Sequence, residues 1–262
     1  MNLLKRELRV HWKAFFFWSL GMFVLCFAGI VKFESYSSSG SMMELINSFP
    51  RIVLAVMGAV GLDAGTLSGY TALLFYYVLV CSCIYALHLG FSAVSRESVD
   101  RTYEFLFTKP RSRARLLGTK LTAAYLYYAA FCGINALFAL LAVKTLGTSE
   151  RVTGEIWLCA LSVFLIGSLF LSLSACFSAY AIRPEKGAAR GNLAFLCAFL
   201  LGIVYNVLEH PGLLRLVSPM SYFPSADLAK SVFSLPYAAL ALALTGAFLA
   251  LTFRRFERKD LL

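Results

Sequence analysis

Long uncharged apolar runs alternate with short charged connectors along this chain from end to end. Six runs stand out: Ala14–Val31, Ala64–Ser95, Leu121–Val143, Ile156–Ile182, Gly191–Leu208 and Ser231–Phe253. Each reaches the roughly 18 residues with which a helix crosses about 30 Å of hydrocarbon. One such run could be the buried helix of a soluble core, but six could not. The pattern predicts an all-α membrane protein with six transmembrane helices, organised as one membrane domain over residues 1–262.

Shorter patterns occupy the connectors. In residues 1–13, Leu4, Leu8 and Trp12 recur at every fourth position, as do Lys5, Arg9 and Lys13 on another face. An apolar stripe beside a basic one predicts an amphipathic helix at the membrane interface. This stretch does not read as a cleavable signal, because it carries acid and aromatic residues and no small-residue cleavage site follows. After the first span SYSSSGS (35–41) reads as a loop, and Pro50 introduces RIVLAVMGAVGL, which is too short to span and is expected to re-enter or lie at the interface. The second run exceeds one bilayer thickness, so its helix should start after Gly65 or protrude. HPGLLRLVSPMSYFPSADLAK (210–230) sets three prolines among apolar residues. It predicts one or two short outer helices, re-entrant or half-sunk in the outer leaflet.

The densest charge lies in SRESVDRTYEFLFTKPRSRARLLGTK (95–120), with seven Lys/Arg and three Asp/Glu. Glu97 and Asp100 fall where a helix N-terminus favours negative charge. Val99, Tyr103, Leu106 and Phe107 follow at helical spacing. Pro110 ends the element, because the residue before a proline is pushed out of the helical region. Arg111, Arg113 and Arg115 then alternate before Lys120 opens the third span. These features predict a short amphipathic helix over 97–108, parallel to the membrane, with a basic anchor behind it and a face for a cytosolic partner.

Composition agrees with the membrane reading: 60% of residues are hydrophobic and 15% charged, against roughly 25% charged in a soluble domain. The net charge of +10 could suggest nucleic acid, but its distribution points elsewhere. With the N-terminus inside, 18 Lys/Arg fall in cytoplasmic segments and 6 in outer ones, while the acids divide 7 and 7. Orientation follows Lys/Arg rather than net charge. The chain is therefore expected in the cell membrane, multi-pass, with both termini cytoplasmic and its basic surface drawn to anionic lipid rather than nucleic acid.

Candidate chemistry is sparse. All seven cysteines lie within apolar runs, and none has the CxxC spacing of a zinc or redox site. They read as small packing residues, and no metal site is expected. The polar residues in or bordering the spans are His88, Asn135, Asn192, Asn206 and Glu209, each a pathway candidate because polar groups in a membrane are expensive. For the asparagines, interhelical hydrogen bonding is the competing reading. A membrane enzyme would need a motif such as H-E-x-x-H, yet His11, His88 and His210 lie in separate segments. No catalytic residues are expected. An ion-coupled secondary transporter would need intramembrane carboxylates, and the span interiors contain none. A non-transporting assembly or immunity component remains an alternative.

The segment from Glu97 through Thr102, Glu104, Phe105, Leu106, Pro110, Ser112, Arg113, Gly118 and Lys120 resembles the cytoplasmic signature of ATP-binding-cassette (ABC) exporter permeases of the type 2 family. The likeness extends over nearly the whole chain, through the six spans, SPMSYFPSADL before the last span, and the basic RRFERKDL end. Arg101 departs from the pattern, since the family usually has glycine there. The resemblance implies a permease that forms the pathway beside a second permease chain, as a homodimer or with a related subunit. It implies a separate ATPase subunit holding ATP and magnesium, and a coupling helix over 97–108 that contacts it through Glu97, Asp100, Tyr103, Glu104, Phe105, Leu106, Pro110 and Arg113. No cofactor is expected in this chain, because GTKL at 118–121 lacks both the upstream glycine and the Ser/Thr of a phosphate-binding loop. The aromatic content favours an amphipathic or hydrophobic substrate: a drug, peptide or lipid.

Overall fold

The computed structural model describes residues 3–37, 48–99, 112–147, 152–208 and 212–258. Among these, six helices are long and apolar enough to cross a membrane, one for each apolar run. In chain order the elements are α1 (Leu3–Phe23), α2 (Arg51–Met57), α3 (Leu67–Val99), α4 (Arg113–Leu146), α5 (Thr153–Tyr180), α6 (Pro184–Val207), α7 (Leu214–Val217), α8 (Ser225–Ala229) and α9 (Leu235–Glu257). A π-helical turn, Val24–Ala28, prolongs α1 toward short helical pieces at Gly29–Val31 and Phe33–Ser37. Gly58 and Gly147 close α2 and α4 with φ of 73° and 63°, a conformation that costs a side chain with a Cβ. α3 starts just past Gly65, as the first of the two alternatives for this run has it.

α5 is the central pillar, packed against α3, α9, α6 and α4. Its neighbours approach closely because small residues face one another, which is how helices gain van der Waals contact where lipid offers no hydrophobic drive. A Cβ on Gly90 of α3 would collide with the Leu171 carbonyl of α5, and Ser174 Oγ donates to Leu87 O at 2.8 Å. On the α6 side, Gly187 and Gly191 sit four residues apart against Ser178 and Ser174. From α4, the Tyr128 ring covers Gly167, and its hydroxyl donates to Val163 O at 2.9 Å.

Cross-contacts define the two ends of the bundle. At one end Tyr127 of α4 donates to Leu8 O of α1, Phe253 of α9 lies beside Gly118, and the Arg255 guanidinium sits 5.6 Å from the Tyr180 ring centroid. This end gathers Arg96, Arg113, Arg115, Arg183, Lys186, Arg254 and Arg255 with the basic residues of α1. We call it the basic end. At the other end Arg51 Nε donates to Asn206 O at 3.3 Å, Ser68 Oγ to Ala229 O at 2.6 Å, and Ser231 Oγ to Glu155 Oε1 at 2.8 Å. These bonds tie α2 and the segment around α8 to the spanning helices, and with α7, which packs on α6, they form a cap.

From Leu3 onward the N-terminal stretch enters the first span without a break, as the opening turns of α1. Lys5, Arg9 and Lys13 face outward, and Trp12 is 55% exposed. Glu7 and His11 are buried. They begin a seam that continues through Phe15, Trp18 and Met22 to Cys26 in the π turn, so one continuous helical segment serves both the polar and the apolar contacts.

Candidate functional site

The basic end carries the groups that bracket the densest charge. α3 ends at Val99 and α4 begins at Arg113, with Ser112 in extended conformation (ψ 141°) at its N-cap. Glu97 therefore lies within α3 and does not open a new helix as its charge suggested. The span is long enough to carry it past the apolar run. Asp100, Tyr103, Glu104, Phe105, Leu106 and Pro110 lie outside the described residues. Arg113, half-buried, is the first residue of α4.

The polar span candidates do not converge. Asn135 is 2% exposed: its Nδ2 donates to Phe131 O at 2.8 Å, and its Oδ1 accepts from the Cys26 thiol at 4.0 Å. Its amide N–H is consumed within α4 itself, and its oxygen meets the π turn of the first span only through the long thiol contact. His88 faces outward from α3, and Asn192 faces outward from α6. Asn206, half-buried near the far end of α6, lines a cavity of about 40 Å³ with Tyr76, Ser162, Ser221 and Ser225. Glu209 lies outside the described residues.

The cap over that cavity has its own framework. The Arg215 guanidinium donates to Ser221 O and Tyr222 O, both at 3.2 Å, lies 4.4 Å from the Tyr237 ring centroid and reaches Asp227 at 3.8 Å. A planar fork with several donors suits this task, because it can satisfy two adjacent carbonyls while stacking on a ring. Tyr222 is buried against Tyr237, its hydroxyl donating to Leu216 O at 2.8 Å. Burial first, and then Tyr237, pushes its phenol above the ordinary value, so it stays a protonated donor at neutral pH. Phe223 stacks on Phe233 with centroids 4.7 Å apart.

Six spans, a charged interval between the second and third, and a folded cap before the last are thus in place. Residues 1–261 match the family model for ABC-2 family transporter protein. The chain belongs to that family. A search of curated proteins finds no match for it. An ABC-2 family protein is a membrane component, and the family as a whole implies an ATPase partner.

Several residues that matter in this ABC-2 family protein escaped sequence reading. Glu7 and His11 share one face by their spacing of four, but the apolar and basic stripes beside them are the more conspicuous pattern in the sequence. Lys120 read as the cation opening the third span, yet it is 4% exposed. Arg215 looked like one loop arginine among prolines, and nothing local in the sequence marks its partners. Gly187 and Gly191 carry a visible G-x-x-x-G spacing, masked by the charges of Arg183, Lys186 and Arg190 around them.

Proposed function

We propose that this chain is the transmembrane permease subunit of an ATP-driven exporter, working with a separate ATPase and a second permease chain. The observation that carries the reading is a family match over residues 1–261 in a sequence without a phosphate-binding loop. The chain sits in the cell membrane with both termini and the basic end cytoplasmic. ATP and magnesium are held by the partner, and the pathway takes an amphipathic or hydrophobic substrate. The ATPase docks on the segment around 97–108, with Tyr103, Phe105 and Leu106 as its apolar contacts and Glu97, Asp100 and Glu104 as its acidic ones. Pro110 ends the segment, and Arg111, Arg113 and Arg115 hold it against anionic lipid, each contributing about 1 kcal/mol.

Orientation is checked by thiol labelling. Cysteines placed singly at Ser38, Thr148 and Leu213 react with an impermeant reagent on intact cells, and one at Ser112 reacts only after permeabilisation. Reaction at 112 from outside inverts the assignment. The coupling segment is checked in the affinity-purified complex. Glu104→Ala and Phe105→Ala reduce permease-dependent ATP hydrolysis or release the ATPase, with an effect of tenfold or more, as expected of truncating an interface anchor at about 2 kcal/mol. Membrane insertion is unchanged. Glu150→Ala is the control at the capped end, since Glu155 is engaged by Ser231. Parent-like assembly and hydrolysis in the 104 and 105 variants remove the segment from the interface.

A further inference from the structure

The outward face of α1 changes from charge to hydrocarbon along one ridge. Lys5, Arg9 and Lys13 face outward, four residues apart. Phe17 and Gly21 continue the same step, and both are exposed, so the ridge turns apolar just past Lys13. Trp12 is exposed beside that change, the place where aromatic anchors meet the membrane–water interface. With Lys13 at the interface, Gly21 stands eight residues deeper, about 12 Å along the helix. One leaflet of hydrocarbon is roughly 15 Å deep, so Gly21 lies well inside it.

The surface at that depth is not filled. Phe17, Trp18, Gly21, Met22 and Leu25 of the first span, with Cys81 of α3, line an open groove of about 420 Å³. A Cβ placed on Gly21 meets nothing within 4 Å. Trp18 is held against Tyr85 of α3 with ring centroids 5.4 Å apart, and Met22 is buried, so packing fixes these walls. None of the six lining residues is charged, and a thiol such as that of Cys81 serves as a small hydrophobe. A second helix fits poorly, because with its side chains it is about 10–12 Å across. A groove bounded by one turn of two helices takes a single slender chain, and the basic ladder beside it calls for a negative head.

We propose that this groove and the ladder form a binding site for one anionic glycerophospholipid, with an acyl chain lying over Gly21 between Phe17 and Trp18 and the phosphate on Lys13, Arg9 standing one turn further out. A zwitterionic lipid offers the same chain, but its phosphate carries its own cation. Each basic group therefore favours the anionic head by about fivefold, the equivalent of about 1 kcal/mol. The bound chain spans the seam between α1 and α3. The site needs neither nucleotide nor transported substrate, so it goes beyond the permease reading and does not depend on it.

Trp18 is the reporter. The chain has three tryptophans, and Trp12→Phe with Trp157→Phe leaves Trp18 as the remaining one. Both replaced rings are exposed, so the fold is kept. This full-length protein is reconstituted in phosphatidylcholine vesicles with a rising fraction of phosphatidylglycerol, one lipid or the other carrying brominated acyl chains. Brominated phosphatidylglycerol quenches Trp18 with an affinity about tenfold or more above that of brominated phosphatidylcholine. Lys13→Gln lowers that ratio about fivefold, and adding Arg9→Gln brings it close to one. Lys144→Gln, exposed at the other end of α4, leaves it unchanged. Gly21→Leu fills the groove from open space and cuts quenching by brominated phosphatidylglycerol at least threefold, with Lys13 intact. Equal quenching by the two lipids, a ratio untouched by Lys13→Gln, or quenching untouched by Gly21→Leu overturns the site. Absence of quenching by either lipid means that protein covers Trp18, a second copy of the chain included, and overturns it as well.

Discussion

Gly90→Ala lowers the apparent melting temperature of the detergent-solubilised protein by about 6–12 °C, whereas Gly133→Ala leaves it unchanged or raises it slightly. Both glycines lie inside spanning helices, so intrinsic propensity favours alanine at each by about 0.5–1 kcal/mol. Their surroundings decide the difference. At Gly133 an added methyl meets nothing within 4 Å. At Gly90 it overlaps the Leu171 carbonyl, with the Ser174 Cβ 3.1 Å away. The obstruction is backbone, which cannot rotate aside, so α3 and α5 must separate. Separation also stretches the bond from Ser174 to Leu87 O at the same crossing. A cost of about 3 kcal/mol, near the upper end for overpacking, is expected. Equal melting temperatures for the two variants would show that α3 and α5 are further apart than described.

The second large effect concerns the cap. A cysteine at Ser221, which is 3% exposed in the folded cap, reacts slowly with a soluble maleimide. In the Arg215→Ala background that reaction accelerates roughly 10- to 100-fold, the factor expected from losing charge-assisted hydrogen bonds of about 1.5–3 kcal/mol. Arg215→Lys recovers little of the protection, because an ammonium cannot serve two carbonyls in a plane while stacking on Tyr237. The exposed Asp227 contact contributes little, so Asp227→Asn alone changes the rate less than about threefold. Protection unchanged by Arg215→Ala would mean that Tyr222 and Phe223 hold the cap by packing alone.

What the sequence made legible, and what it hid, follows from the range of the forces involved. The six spans were readable because a run such as Ile156–Ile182 must satisfy the bilayer by its own composition, whatever its neighbours are. The cap was readable as a set of short pieces because Pro211, Pro219 and Pro224 interrupt any long helix. The role of Arg215 was not readable, because its partners are carbonyls and a ring that only tertiary folding brings to it. The burial of Glu7 and Lys120 emerges only once α1 is packed against its neighbours and α4 against its own. Glu97 misled for a different reason. Acidic residues usually open helices, but here the length of α3 carries the helix past the residue before any terminus is reached. The candidate coupling residues from Asp100 to Pro110 stand as the sequence left them.

The enclosure of α5 has a consequence for how the chain is made. Synthesis delivers the spans in order, and α5 must enter the bilayer when only α1, α3 and α4 are present. Its face toward α9, where Cys176 meets Thr252 and Tyr180 meets Arg255, then has lipid against it until the final span is released from the ribosome. That face is uncharged, as is the whole run Ile156–Ile182, and lipid tolerates such side chains as readily as protein does. The last helix therefore arrives at a surface that needs no rescue while it waits. A chain stopped before Leu235 inserts stably but remains open on one side, a half-finished product that surveillance proteases can recognise by the groove where α9 belongs.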